Sequence, residues 1–394
     1  MQAANRSDEE IGQTRFWADV LPKLIARCGV RRNKLKYEIR KQNEIVDRAT
    51  QQKFMGTKYE KGEGGGPAVS VIVTAYNEEQ HIAEALESVL EQTFRDFEIV
   101  VIDDGSTDRT SEIVREYAQQ ERVPIRYLYQ SNSGQPAARN RGIRNAQGSY
   151  VAFLDADDLW LPSKLKRQMQ YLRSSPGLAW VYCDAYRFDS VTGRTRQLAS
   201  QGQRLHEGDV LRPLLLGNFI VSVTPVVRRD VFEEVGYFRE SSSVRGGGGE
   251  DWDMWLRIAA RYPAGVVRAP LGKSRQDPQS MTGAMDLNHA MQGRMEIVRR
   301  TVRAHPERTA DLRSRAVANV QANIGRRALD RENRRQARRL LGKALRRDPL
   351  NPFVWRYTLA AFLPRSVLRV LGRGRYYWKW VGRTAGAELE NQGA

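Results

Sequence analysis

From Val69 onward the chain alternates between two patterns: short runs of β-branched and aliphatic residues, and longer segments whose apolar positions recur every three or four residues. VSVIVT (69–74), EIVVID (98–103), IRYLY (125–129) and YVAFLD (150–155) have the first pattern and are expected to be strands. Helices are expected between them: one from about Glu79 to Gln92 with Ile82, Leu86, Val89 and Leu90 on one face, one carrying Ile113, Val114 and Tyr117, and one over Gln135–Ala146. Near-continuous apolar strands separated by helices predict a mainly parallel sheet covered on both faces, an α/β doubly wound domain. This domain is expected over residues 67–285, with a less regular second half. Residues 1–66 read as a polar helical extension, amphipathic around Phe16–Ile25 and Leu35–Ile45, that ends in the Gly-rich linker KGEGGGP. Residues 286–394 read as a basic helical region, in which ARRLLGKALRRDPLNPFVWRYTLAAF has the form of a helix, a Pro-containing turn and a second helix.

In open α/β sheets, ligands collect at the carboxyl ends of the strands, and most of the acidic clusters of this chain fall there. Thr74-Ala-Tyr-Asn-Glu closes the first strand. Its Thr and Asn suit helix caps, while Thr74 and Tyr76 are equally placed to border a nucleobase. In Asp103-Asp104-Gly-Ser-Thr-Asp, turn and cap chemistry explains Gly105, Thr107 and Asp108. It does not explain two adjacent carboxylates after a buried strand, and Asp104 is the expected acceptor for a base imide N–H. Asp155-Ala-Asp-Asp follows the fourth strand, and the two-residue period puts Asp155 and Asp157 on one side. Facing carboxylates are costly without a cation, so Mg²⁺ or Mn²⁺ completed by substrate phosphates is expected, the alternative being a solvated acidic turn. Glu250-Asp251-Trp-Asp-Met-Trp opens a helix after four glycines. The helix dipole favours acids there, and Asp251 is also placed to act as a general base. Trp252 and Trp255 are expected to stack on sugars or pack in the core. Arg139, in NSGQPAARNRG, is either a contact to base or diphosphate or an ordinary helix-face arginine. The histidines, His81, His206, His289 and His305, have no ligand spacing.

Charge changes this picture in one region. Residues 299–394 hold 23 Lys/Arg against 7 Asp/Glu, a net +16 of the chain's formal +18. With Trp355, Tyr357, Tyr376, Tyr377, Trp378 and Trp380, this region suits an anionic membrane surface, a solvated helical bundle, or nucleic acid; no nucleic-acid-binding motif accompanies it, and none is expected as a partner. Phe353–Leu371 is interrupted by Arg356, Pro364, Arg365 and Arg369, so it falls short of the roughly 20 apolar residues a membrane span needs. The two cysteines, Cys28 and Cys183, form no disulfide framework. The first residues lack a basic-then-apolar leader. A cytoplasmic protein, peripheral to the inner membrane face, is the expectation.

Taken in order, VSVIVTAYNEE, QTFRDFEIVVIDDGSTD, NSGQPAARNRG, VAFLDADDLWLP, GNFIVSVTPVVRRDVFEEVGYF and GGEDWDMWLRIA resemble the family 2 glycosyltransferases of the GT-A fold, over roughly Val69–Thr282. The resemblance implies a mixed, mainly parallel GT-A sheet and inverting, non-processive transfer of one sugar from a nucleotide-diphosphate donor, UDP favoured. It implies donor binding by Thr74, Tyr76, Asn77, Glu78, Asp104, Gly134, Arg139, Asp155 and Ala156. By the same resemblance Asp157 is on the metal, Asp251 is the catalytic base, and Glu250 and Trp252 lie on the acceptor side. Many relatives carry a metal-site histidine after the base; here Asp277 stands in its place as a candidate ligand. The implied acceptor is a glycan or lipid-linked sugar in surface polysaccharide or glycolipid assembly. The alternative is a non-catalytic nucleotide-sugar-binding scaffold at the membrane.

Overall fold

A computed structural model describes residues 66–190, 195–200, 204–240, 248–276 and 286–363. The expected N-terminal extension, Asp277 and the aromatic residues beyond 363 lie outside the described residues.

The expected strands form: β1 (Val69–Ala75), β2 (Phe97–Asp103), β3 (Ile125–Tyr129) and β4 (Tyr150–Asp155). β1 pairs in parallel with both β2 and β4, and β2 pairs in parallel with β3. Consecutive residues face opposite sides of the sheet. Val71 and Val73 enter the core under the helix Ile82–Leu90, and Ile72 enters the one beneath the helices Gln135–Asn145 and Glu250–Arg261. Both faces are covered, which is why these strands read as unbroken apolar runs.

The first helix begins later than its periodicity predicts, at Ile82 rather than Glu79. Backbone groups of residues 77–79 instead donate to side chains of the turn after β2: Asn77 N–H to Ser106 Oγ, Glu78 N–H to Thr110 Oγ1 and Glu79 N–H to an Asp108 carboxylate oxygen. Those bonds compete with the first helical turn.

The second half is mixed. β5 (Leu159–Trp160), β6 (Trp180–Asp189), β7 (Thr195–Leu198), β8 (Val226–Arg228) and β9 (Ala264–Gln276) extend the sheet in the order β3-β2-β1-β4-β8-β6-β9-β5, with β7 beside β6. β8 runs antiparallel to both β4 and β6, so β6 runs with β4, as does β9, which pairs with β6 in parallel. The ends of β1, β2, β4, β6 and β9 therefore share one edge.

The basic region forms helices Leu287–Ala304, Arg313–Asp330, Arg334–Arg347 and Pro352–Phe362. Ile297, Val298, Ala316 and Val320 join the core of the α/β domain, while Leu340, Leu341 and Val354 close a second core among the helices themselves. The described residues all fall within one compact unit.

Candidate active site

Asp155, at the end of β4, is encircled. Thr74 Oγ1, Gln135 Nε2, Ser222 Oγ and the Arg139 guanidinium all donate to it, at 3.3, 2.8, 3.1 and 2.9 Å. Arg139, only 2% exposed, also reaches Glu250 at 3.5 Å. Burial opposes its charge, but Asp155 and Glu250 hold it protonated, above the usual arginine range. A carboxylate after β4 and one at the start of the helix Glu250–Arg261 are thus joined through one buried cation.

Asp251 stands beside that bridge. Its carboxylate accepts from Asn218 Nδ2 at 2.9 Å and from the Trp252 N–H at 2.7 Å. Burial, followed by repulsion from Glu250, raises its pKa to about 6, against the pull of Arg139 and Arg294. At neutral pH it is ionised, yet basic enough to take a proton.

Asp157 differs from Asp155. Among the described residues no side chain donates to its carboxylate, and burial, then Asp155, then Glu78, push it up to about 7. Asp158 behind it, also raised by burial and by Asp157, is held by the Arg275 N–H at 2.7 Å. Asp155 has no lone pairs to spare for a cation, whereas Asp157 has an oxygen-rich, electronegative setting that fits one. Among the described residues no three Asp, Glu, His or Cys side chains converge as a metal site, so ligands from the donor diphosphate would be needed to complete the coordination of a hard divalent ion.

Several other expected residues have structural partners. Asp104 accepts from Gln130 Nε2 and from the Ser133 and Gly134 N–H groups, at 2.7, 2.8 and 2.7 Å. Asp103 accepts from the Tyr127 hydroxyl and the Ser106 N–H. The adjacent carboxylates that look uncompensated in sequence are compensated, by Ser106 three residues on and by donors 24–30 residues away. Asn77 has a left-handed backbone, φ 54°, and its Oδ1 accepts from the Thr107 N–H. Glu78 pairs with His81 Nδ1 at 3.2 Å. Gly105 cannot be replaced cheaply, since a Cβ there would lie 2.7 Å from the Asn132 nitrogen. Ala156 is buried, and its N–H donates to the Thr74 carbonyl. Tyr76 is half exposed at the rim beyond β1, free to meet a planar ring.

Trp252 requires a correction. It is 5% exposed, and its Nε1 donates to the Leu214 carbonyl at 2.7 Å. Trp255 is fully buried and stacks on Trp180. Both rings are core, because the helix Glu250–Arg261 must bury one face against the helix Leu211–Leu216, so Trp252 is not a sugar platform.

Asn218, Ser222 and Gln135 escaped the sequence reading. Single polar residues in an irregular stretch, or at a helix start, carry no periodic signal.

The glycosyl transferase family 2 model matches residues 70–236. An uncharacterized glycosyltransferase of Rickettsia felis is 33% identical over 210 residues, covering 52% of this chain and 33% of that protein. One of Nostoc sp. is 36% identical over 173 residues, 42% of this chain and 52% of that one. The chain therefore spans about a third to a half of these relatives. Among solved structures, residues 1–349 of S. aureus TarS in complex with UDP-GlcNAc match with a TM-score of 0.52 at 20% identity, over 78% of this chain and 93% of that one. The mannosyltransferase PcManGT of Pyrobaculum calidifontis, in complex with GDP-Man and Mn²⁺, matches with a TM-score of 0.51 at 18% identity, over 86% and 90%. At such identities the structures speak to the fold, which is the GT-A arrangement of a mixed sheet between helices. Residues 70–236 of this chain thus resemble glycosyl transferase family 2.

Proposed function

We propose that the protein transfers one sugar from a nucleoside-diphosphate donor, a UDP-sugar in the first instance, to an acceptor hydroxyl with inversion at the anomeric carbon. The observation that carries this reading is Asp251: a carboxylate oriented by Asn218 and the Trp252 N–H, beside the Arg139 bridge that ties the adjacent Glu250 to the strand-end Asp155.

In this reading Asp251 accepts the proton of the acceptor hydroxyl as its oxygen bonds to the anomeric carbon, and the bond from that carbon to the diphosphate oxygen breaks. The geometry is preorganised, because Asn218 fixes the direction in which the base points. Asp155, fully hydrogen-bonded, anchors the edge and keeps Arg139 in place, while Tyr76 offers its exposed ring to the base. Asp157 would hold Mn²⁺ or Mg²⁺, which supplies neutralisation of charge on the diphosphate leaving group. That TarS is described with UDP-GlcNAc and PcManGT with GDP-Man and Mn²⁺ supports a nucleotide-sugar donor and a metal here.

The basic region supports a place at an anionic membrane surface, in surface polysaccharide or glycolipid assembly. Trp355, Leu359 and Phe362 are exposed along one side of the helix Pro352–Phe362, and Leu350 just before it is 88% exposed. The neighbouring helix Arg334–Arg347 exposes Arg335, Arg338, Arg339, Lys343, Arg346 and Arg347. Apolar and aromatic residues rimmed by cations suit the headgroup layer. Among the described residues no helix is long and apolar enough to cross a membrane.

Calorimetric titration with UDP, GDP and dTDP, with and without Mn²⁺, tests the donor reading. Metal-dependent binding of UDP is expected. UDP binding with no turnover on any acceptor would favour a nucleotide-sugar-binding scaffold, and no nucleotide binding would end the reading. Flotation with anionic vesicles tests the surface: a triple Ser variant of Trp355, Leu359 and Phe362 should float less than the parent protein.

A further inference from the structure

Three arginines, one of them beside Asp251, lack a hydrogen-bonding partner among the described residues. Arg187, Arg294 and Arg327 are at least partly buried, and among the described residues none of them makes a hydrogen bond or an ion pair. Arg327 Nη1 is wholly shielded from solvent without an acceptor. An unpaired buried charge is costly, so three together call for an explanation.

Each comes from a different element. A Cβ added at Gly249 would lie 3.7 Å from Arg294 Cγ and 3.0 Å from Ile297 Cδ1, which sets the stem of Arg294 against the residue preceding Glu250. Arg326 and Arg327 come from the helix Arg313–Asp330. The Asn319 side chain of that helix donates at 2.9 Å to the Leu216 carbonyl, two residues before Asn218, which holds Asp251. Arg187 lies near the end of β6, on the same edge as Asp155. The three have Arg326 as a common neighbour: burial lowers the pKa of Arg187 and Arg294 and Arg326 repels both, against the pull of Asp184 on Arg187 and of Asp251 and Glu250 on Arg294, while burial and then Arg294 and Arg326 push Arg327 down to about 10.

The nearby carboxylates are already engaged. Glu250 has Arg139, Asp251 has Asn218, Asp184 accepts from the Ala185 and Ser200 N–H groups, and Asp330 pairs with Arg326 at 2.8 Å. The cluster has donors left over and, among the described residues, no acceptor bonded to them.

We propose that Arg187, Arg294 and Arg327 bind a phosphate group carried by the acceptor, so that the C-terminal helices present a phosphorylated acceptor's hydroxyl to Asp251. This deepens the proposed transferase reading and rests on it. Guanidinium forks match phosphate oxygens, and charge-assisted bonds of this kind are the strong ones. The phosphate source is either a prenyl-phosphate lipid or a water-soluble phosphate-bearing glycan.

The experiment titrates the full chain, with UDP and Mg²⁺ held saturating so that the donor site is filled, with geranyl phosphate and with glycerol 1-phosphate; geraniol and glycerol serve as controls. Both phosphates should bind and neither alcohol should. Affinity should fall about tenfold or more in Arg294→Met and in Arg327→Met, while UDP binding stays intact. Tighter binding of geranyl phosphate assigns the lipid source, and equal binding assigns the soluble one. Phosphate binding absent from the parent protein, or unchanged in the variants, overturns the proposal. Parallel loss of UDP affinity also overturns it, by moving the arginines to the donor site. Should a variant not fold, the parent protein's unfolding temperature decides: geranyl phosphate must raise it and geraniol must not, and equal shifts overturn the proposal. If the parent protein binds no UDP, the donor reading fails separately, and the same titration without nucleotide still decides phosphate binding.

Discussion

Where β1, β2 and β4 end, Asp103, Asp104 and Asp155 each accept hydrogen bonds from two or more neighbouring groups; across the edge, where the C-terminal helices meet Asp251, Arg187, Arg294 and Arg327 have none from the described residues. The first region is finished by the protein's own donors and is rigid before any ligand arrives. The second holds three arginines that Asp184, Asp251 and Glu250 attract only through space, and in the proposed reading a ligand phosphate completes them. Asp157 is the exception on the first side: among the described residues its carboxylate has no side-chain donor, and in the proposed reading a cation completes the edge there.

The largest effect that would break this contrast is on chemistry. Asp251→Asn should lower kcat by about 10²–10⁴-fold with UDP affinity nearly unchanged, measured by steady-state transfer and by calorimetry. Unchanged turnover would remove Asp251 from the base position.

Next comes the buried bridge. Arg139→Met leaves Asp155 and Glu250 without their shared cation, and should cost about 3–5 kcal/mol of stability, read from urea unfolding. A loss below about 1 kcal/mol, the range of surface pairs, would show that the saturated side is less closed than its hydrogen bonds imply.

Asp157→Asn should remove the Mn²⁺ dependence of UDP binding, weakening it to the level the parent protein shows in a chelator. If UDP binds the variant and the parent equally well in Mn²⁺, the cation is held elsewhere.

A smaller effect concerns pH. The base works only when ionised, so kcat/KM should fall as pH drops through about 6, where Asp251 protonates. Asn218 donates to the charged form, so Asn218→Ala should raise the pKa of Asp251 and move the acid limb upward, with roughly tenfold lower kcat. A lowered rate with an unmoved limb would make Asn218 a packing residue only.

The strands and helices of the first half were legible because burial on both faces writes itself into residue order: VSVIVT and YVAFLD have no polar face to hide. The acidic clusters were legible as positions and less so as roles. Asp104, expected to accept a base imide N–H, also accepts from Gln130, Ser133 and Gly134, brought there by the β2–β3 pairing. Asp103 and Asp104 look mutually repulsive in sequence because most of their donors are distant along the chain. Trp252 was undecided between sugar and core until the helix Leu211–Leu216 covered it. Asn218 and Ser222 were invisible, since an isolated polar residue in a loop has no period to detect.

The basic region makes the same point. Its sequence determined a net positive charge and helical spacing, and so a surface for anions of some kind. Which arginines would be paired, exposed or buried without a partner was set only when the helix Leu287–Ala304 packed on Glu250–Arg261 and the helix Arg313–Asp330 on Leu211–Leu216. Local order along a chain determines which face of an element is apolar. It cannot determine which charges meet, because an ion pair or its absence depends on distances of a few ångströms between residues that lie tens to hundreds of positions apart.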